Sequence, residues 1–393
     1  MLKEIQALDM FDEFKCVSME DGVKSGLIEI LDDTVDNDYM DYVIGMTQRP
    51  DDQLDLDVPV VYTPLNGAGS IPMEVMAKRR GFKNFVIVPE HKDPDPDFTT
   101  VPFPNPENPK AFELAEKLGR ELGAEVLIAT DPDSDRMAVE IADGKGGYIS
   151  LNGNQTGAMI INYMAESMTE NGTMPKNPMM IKSIVTGDLG RKICEDYGIT
   201  VYEALTGFKN ICGRIPELEA KGHSYFFAYE ESIGCAPGEA VRDKDGVTAG
   251  MLVTEMAAYY RKKGTTIIDG LEELYKKYGY FAEEQVSIVL QGQAGQARIG
   301  RIMTAFRDGK PQSFGEFGVK KTIDYINGYE DIPAENVLIY KLDDDETWFA
   351  MRPSGTEPKI KFYYYTKTDS REKSLAKIAN LKAAVGALID SVE

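Results

Sequence analysis

Residues 124–136 read AEVLIATDPDSDR. The apolar and β-branched run from Val126 to Thr130 predicts a buried strand. It passes directly into a loop with carboxylates at alternating positions, Asp131, Asp133 and Asp135, closed by Arg136. Upstream, VPVVY (58–62) precedes the turn NGAGS (66–70), and FVIVP (85–89) forms another short apolar run. MEVMAKRRGF (73–82) and residues 110–122 between these runs read as helices. Strands alternating with helices at this spacing predict a parallel α/β sheet. In open sheets of that kind, ligands bind beyond the carboxyl ends of the strands, which is where the acidic loop falls.

The rhythm repeats downstream. A helix over 157–168 precedes the strand MMIKSIV (179–185), the helix LGRKICEDYG (189–198) and the strand ITVYEA (199–204). SYFFAYE (224–230) is a further strand, and TAGMLVTEMAAYYRKKG (248–264) a long amphipathic helix. The last part differs: QVSIVL, VLIYKL, TWFAMRP and KIKFYYYT read as strands, with helices near 296–307 and 371–390. That composition suits helices packed on a mainly antiparallel sheet. The predicted fold class is α/β, two consecutive α/β domains followed by a C-terminal α+β domain. The expected boundaries are 1–50 (acidic and helical, ending at the polar stretch TQRPDDQLDLD), 51–150, 151–285 and 286–393.

Forty-three Lys and Arg against 65 Asp and Glu leave the 393-residue chain at a net charge of −22. Such a surface repels nucleic-acid backbones, so any anion site must be local and strongly basic. No apolar run approaches the roughly 20 residues of a spanning helix, and the N-terminus MLKEIQALDMFDEF has no signal-peptide core. The expected setting is therefore cytoplasmic, with no membrane partner. Four scattered cysteines without CxxC spacing read as reduced thiols.

Three carboxylates on one loop can converge on a hard cation. An all-oxygen set favours Mg²⁺, and Mn²⁺ would suit it too. A solvated acidic turn has the same composition. The stretch Arg352-Pro353-Ser354-Gly355-Thr356-Glu357-Pro358, followed by Lys359 and Lys361, combines a guanidinium fork, hydroxyls and a glycine. Those groups suit phosphate oxygens, although a hairpin turn can also begin with Arg. Tyr229-Glu230-Glu231-Ser232 offers acceptors for sugar hydroxyls or a helix cap. Thr206-Gly207-Phe208-Lys209 and Arg242-Asp243-Lys244 are cation-bearing loops in the same unit. His91 and His223 read as loop residues, and NGAGS as a strand-to-helix turn whose amides could touch a phosphate.

In this order, TPLNGAGS, FPNPENP, ATDPDSDR, VTGDLG, ALTGFKNI, YEESIG, VRDKDGV and RPSGTEPKIKFY resemble the α-D-phosphohexomutase family, the phosphoglucomutases and phosphomannomutases. The variants TGFKN, YEESIG and VRDKDGV look most like the branch of bacterial α-phosphoglucomutases and phosphopentomutases. The resemblance implies intramolecular phosphoryl transfer between hexose 1-phosphate and 6-phosphate, glucose first, through a bisphosphate. It implies Mg²⁺ held by Asp131, Asp133 and Asp135, with glucose 1,6-bisphosphate as activator. It makes Arg136 and Lys244 catalytic cations near the transferring group. Thr206, Gly207, Lys209, Glu230, Ser232 and Arg242 become sugar-side contacts, and Arg352, Ser354, Gly355 and Thr356 the grip on the other phosphate. Phosphoryl transfer needs positioning and charge neutralisation more than covalent work from the scaffold, which such residue types supply.

One motif of the family has no counterpart. Its phosphorylated serine lies in a first domain within a motif like TASHNP, and no such stretch occurs in these 393 residues. Residues 1–50 then read as the tail of a missing first domain and a linker. On that reading the chain alone is inactive or nearly so, its metal affinity is weakened, and a missing N-terminal domain would complete the active site. The rival expectations are a non-catalytic sugar-phosphate-binding protein and, in a longer protein, phosphopentomutase activity.

Overall fold

The computed structural model describes residues 1–9, 11, 16–355 and 357–392. It divides into a unit of residues 1–42 and a larger one of 43–393. The first contains helices Leu2–Ala7 and Met19–Lys24, the latter capped by the Ser18 side chain on the Asp21 amide.

The larger unit is built on three sheets. The first comprises β1 (Val60–Thr63), β2 (Phe85–Ile87), β3 (Val126–Thr130), β4 (Met137–Ala142) and β5 (Tyr148–Leu151), in the order β2-β1-β3-β4-β5. The second comprises β6 (Pro178–Ser183), β7 (Thr200–Ala204), β8 (Ser224–Glu230) and β9 (Gly234–Ala236), in the order β7-β6-β8-β9. In both, three parallel strands are followed by an antiparallel one. A wholly parallel sheet is therefore not what forms. The connections after β3 and β8 are too short for a crossover, so the chain must return beside the strand it has left.

The third sheet holds β10 (Tyr280–Val289), β11 (Ser313–Phe314), β12 (Phe317–Asp324), β13 (Leu338–Leu342), β14 (Trp348–Pro353) and β15 (Lys359–Thr368). Its order is β10-β15-β14-β13-β12-β11, antiparallel throughout. One face packs Phe349 and Phe362 against Phe306 and Leu381 of helices Gly292–Gly309 and Arg371–Asp390. The opposite face carries Trp348, Ala350, Tyr363 and Tyr365 against Ile184, Val185 and Leu205 of the second layer.

Helix Gly246–Lys262, buried almost all round, packs on helices Ser70–Arg80 and Gly153–Asn171 and on β3, β4 and β9. It joins the first two sheets at their common wall. Its buried Glu255 accepts from the Gln48 and Arg49 amides, the Tyr163 hydroxyl and the Arg80 guanidinium. The start of the polar stretch expected to link domains is thus fastened to this helix, and the Arg49 side chain is 2% exposed. Among the described residues no helix is long and apolar enough to cross a membrane.

Candidate functional site

Three loops from the first two sheets meet at one place. The acidic loop leaves β3, turns through Ser134 at φ 60°, and enters β4. Glu231-Ser232-Ile233 leaves β8, turns through Ile233 at φ 57°, and enters β9. The two hairpins pair with each other: Arg136 bridges Gly234, and the Met137 amide donates to the Ile233 carbonyl. The third loop, 242–245, is tied in by the Gly246 amide on the Ser134 carbonyl and the Asp245 amide on the Cys235 carbonyl.

Asp131, Asp133 and Asp135 bring carboxylate oxygens within 4.8 Å of one another. That convergence of hard oxygens on a strand-end loop fits a divalent cation. Protein cations already neutralise part of it. Asp131 accepts from the Arg136 amide at 3.0 Å and from its Nε at 2.7 Å, and Lys244 Nζ stands 2.8 Å from Asp135. Burial raises the Asp131 pKa, with Asp135 adding to it, against the hydrogen bonds and charge of Arg136. Burial works against the Lys244 charge, but hydrogen bonds to Asp135 and Asp243 outweigh it and hold that pKa above its ordinary value. Asp133 is the exposed member of the three, which leaves it most open to a ligand.

Two glycines are required by close approach. A Cβ on Gly67 would lie 2.3 Å from the Pro132 Cα, and the Ala68 amide donates to the Pro132 carbonyl at 2.7 Å. The amides of 66–68 are therefore spent on backbone partners and support the acidic loop, rather than facing a phosphate as the sequence allowed. A Cβ on Gly234 would meet Lys244 Cδ at 2.7 Å and Phe208 at 3.0 Å. His91, expected on a loop, is 1% exposed, with its Nδ1 2.7 Å from the Thr63 hydroxyl.

Glu230 accepts from the Gly207 amide at 3.3 Å. Burial and then the neighbouring Glu231 push its carboxyl up to about 7, opposed by the Gly207 amide, Lys244 and Lys361. Glu231 is occupied by the hydroxyls of Ser183 and Thr186 at 3.0 Å and of Ser232 at 3.2 Å. Ser232 therefore faces Glu231. The Thr206 carbonyl accepts from Asn210. Lys209 is exposed on the helix Phe208–Ile211. Arg242 is exposed and 3.6 Å from Glu219, away from the contacts of Lys244.

From the third sheet, Arg352 and Lys361 stand directly opposite each other on β14 and β15. Like charges so placed repel and favour an anion between them. The Arg352 Nε is buried without a hydrogen-bond partner, 3.9 Å from Glu335. The Ser354 amide donates to the Lys359 carbonyl, and the Ser354 hydroxyl accepts from the Glu357 amide. Gly355 is exposed, and Thr356 lies outside the described residues. Arg352 and Lys361 reach the second sheet electrostatically: both Arg352 and the pair Glu230–Glu231 act on Tyr363, and Lys361 on Glu230. One site-adjacent residue beyond the expected set is Glu107, 3.7 Å from Arg136. Its only sequence signal was its place in FPNPENP.

The phosphoglucomutase/phosphomannomutase α/β/α domain II matches residues 37–145, and domain III of the same family matches residues 152–278. The chain belongs to the phosphoglucomutase/phosphomannomutase family. It is 34% identical over 353 residues to the phosphoglucomutase of Staphylococcus haemolyticus, covering 87% of this chain and 63% of that protein. The chain thus spans under two thirds of that relative's length. A phosphoglucomutase/phosphomannomutase family protein from Burkholderia thailandensis superposes at a TM-score of 0.63, with 16% identity over 91% of this chain and 65% of its own. Aspergillus fumigatus N-acetylphosphoglucosamine mutase, solved with GlcNAc-6P and magnesium, gives 0.52, with 12% identity over 90% and 64%. At these identities the two structures bear on fold alone. They match the arrangement of two family-type α/β layers followed by an antiparallel sheet.

Proposed function

We propose that this chain supplies the metal, sugar and phosphate loops of a hexose-phosphate mutase that interconverts the 1- and 6-phosphates, glucose first, through a bisphosphate. The observation that carries this reading is convergence: Lys244 on Asp135 and Arg136 on Gly234 join the loops of two sheets, and the charge of Lys361 on β15 of the third acts on Glu230. Asp131, Asp133 and Asp135 would hold Mg²⁺, which supplies Lewis-acid neutralisation of phosphoryl charge when bound. Arg136 and Lys244 add fixed positive charge beside that position, Glu230 accepts sugar hydroxyls, and Arg352, Ser354 and Gly355 grip the phosphate that is not transferred. A sugar bisphosphate would turn over between the two positions. A cytoplasmic setting belongs to the same proposal.

A second reading, sugar-phosphate binding without turnover, is favoured by the lack of a serine–histidine–asparagine motif in these 393 residues. The test is a coupled assay of glucose 1-phosphate to glucose 6-phosphate with Mg²⁺ and catalytic glucose 1,6-bisphosphate, beside calorimetry with glucose 6-phosphate. Binding that Arg352→Ala weakens, without turnover, supports loops that need a phosphoryl carrier from another segment. Turnover that Asp133→Ala abolishes supports a complete catalyst. Neither binding nor turnover would sink both readings.

A further inference from the structure

A cavity of about 310 Å³ lies where the three sheets of the larger unit meet, behind Glu231. Its lining includes Glu107, Glu140, Glu231, Glu283 and Glu284 and no Lys or Arg. Three of these acids are already served: Glu107 neighbours Arg136, Glu284 pairs with Lys382, and Glu231 takes three hydroxyls. Glu140 and Glu283 are different. Neither has an ion pair among the described residues, and the hydrogen bonds that Glu283 takes from the Asn154 and Asn152 side chains bring no charge. Glu140 is 3% exposed; one carboxylate oxygen accepts from Ser150 at 2.6 Å, and the other is buried with no partner. A buried carboxylate oxygen without a donor costs free energy that a bound donor would return.

We propose that this cavity binds an aliphatic diamine, its two ammonium groups meeting Glu140 and Glu283. The number of acids argues for a dication over a metal ion. Among the described residues only the three aspartates bring three carboxylates close enough for one ion. Beside the acids the lining includes the apolar Phe112, Val139, Leu151 and Ile233, which suit methylene groups better than a hydrated cation. Burial holds the carboxyls of Glu140 and Glu283 up, the latter to about 7, as expected of acids lacking a cation. The binding proposed here does not rest on the mutase reading.

The experiment is calorimetry on the full chain with 1,4-diaminobutane and its monoamine counterpart, at physiological salt to suppress loose attraction to the acidic surface. One saturable site is expected, with the monoamine at least tenfold weaker. Glu140→Gln and, separately, Glu283→Gln should each weaken the diamine on the order of tenfold or more. Unchanged circular dichroism melting would show the variants folded, and glucose 6-phosphate affinity should be unmoved. No saturable site, or affinity indifferent to both substitutions, overturns the proposal. If Glu140→Gln fails to fold, the Glu283→Gln result decides.

Discussion

Glu230 has one carboxyl facing two kinds of neighbour, the acid Glu231 and the cations Lys244 and Lys361. Burial tips the balance, and its proton is held to about pH 7, against an ordinary value of 4.5. Between these values the folded chain binds the proton and the unfolded chain releases it, so stability falls as pH rises through that window. Glu283, also raised to about 7, acts with the same sign. Glu230→Gln should therefore be more stable than the parent at pH 8 by about 1–3 kcal/mol and indistinguishable near pH 4.5. Urea unfolding at the two pH values checks it; equal gains at both would mean the carboxyl does not titrate as described. At the acidic loop, Asp133 is the carboxylate least engaged by protein cations. Asp133→Asn should lower Mn²⁺ affinity on the order of tenfold or more while changing stability by under about 0.5 kcal/mol. Calorimetry and melting read these separately, and a large stability loss would make Asp133 structural.

At the level of elements, the centre is made by two hairpins of the same design. Each follows the third parallel strand of its sheet, turns through a non-glycine residue at positive φ, and meets the other through Arg136 and Gly234. Gly67 supports one hairpin against backbone and Gly234 the other against a flexible lysine, so alanine should act differently at the two sites. Gly67→Ala meets Pro132 Cα, C and O, all within 2.7 Å, and should cost about 1–3 kcal/mol and weaken Mn²⁺ binding. Gly234→Ala can be relieved by moving Lys244 and should cost less than that, while shifting Lys244 from Asp135. Urea unfolding with metal titration distinguishes them, and equal costs would count against the argument. Much of this framework was legible in the chain. SYFFAYE is β8 residue for residue, because a run of apolar and aromatic side chains bounded by turns has few other ways to be buried. The return strands β4 and β9 were not, since nothing local in MAVEIA or GCA states a direction; the brevity of the preceding loops does. The loops were readable as chemistry, but their meeting was not, because Arg136 and Gly234 belong to different sheets. His91 was misread for a related reason: its burial comes from Thr63 on β1, remote in sequence.

Across the larger unit, the third sheet is held to the second by an apolar face with a charged edge. Trp348, the only tryptophan in the chain, stacks on Tyr365 with centroids 4.0 Å apart and donates its indole N–H to Asp188 at 3.1 Å. Asp188 also receives Lys182 at 3.1 Å and Arg191 at 3.4 Å. Burial opposes its charge, but Lys182, Lys341 and Arg191 outweigh that and hold its carboxyl well below the usual range. Such a group adds stability above its ordinary pKa that is lost as acid protonates it. Arg352 lies further along the same strand as Trp348 and, by alternation, on the same face. Fixing one end of β14 on the second sheet therefore also constrains the end that carries Arg352. Asp188→Asn keeps an acceptor for the indole and removes the charge, leaving the buried Lys182 and the partly buried Arg191 to share Glu203 as their one remaining acid. It should destabilise by about 2–4 kcal/mol, and tryptophan fluorescence should change at lower urea than far-ultraviolet dichroism, because the interface opens before the sheets melt. In the parent chain the two transitions should coincide. A variant whose two probes still coincide would show that the apolar face alone holds the sheets together, with Asp188 serving only its own layer.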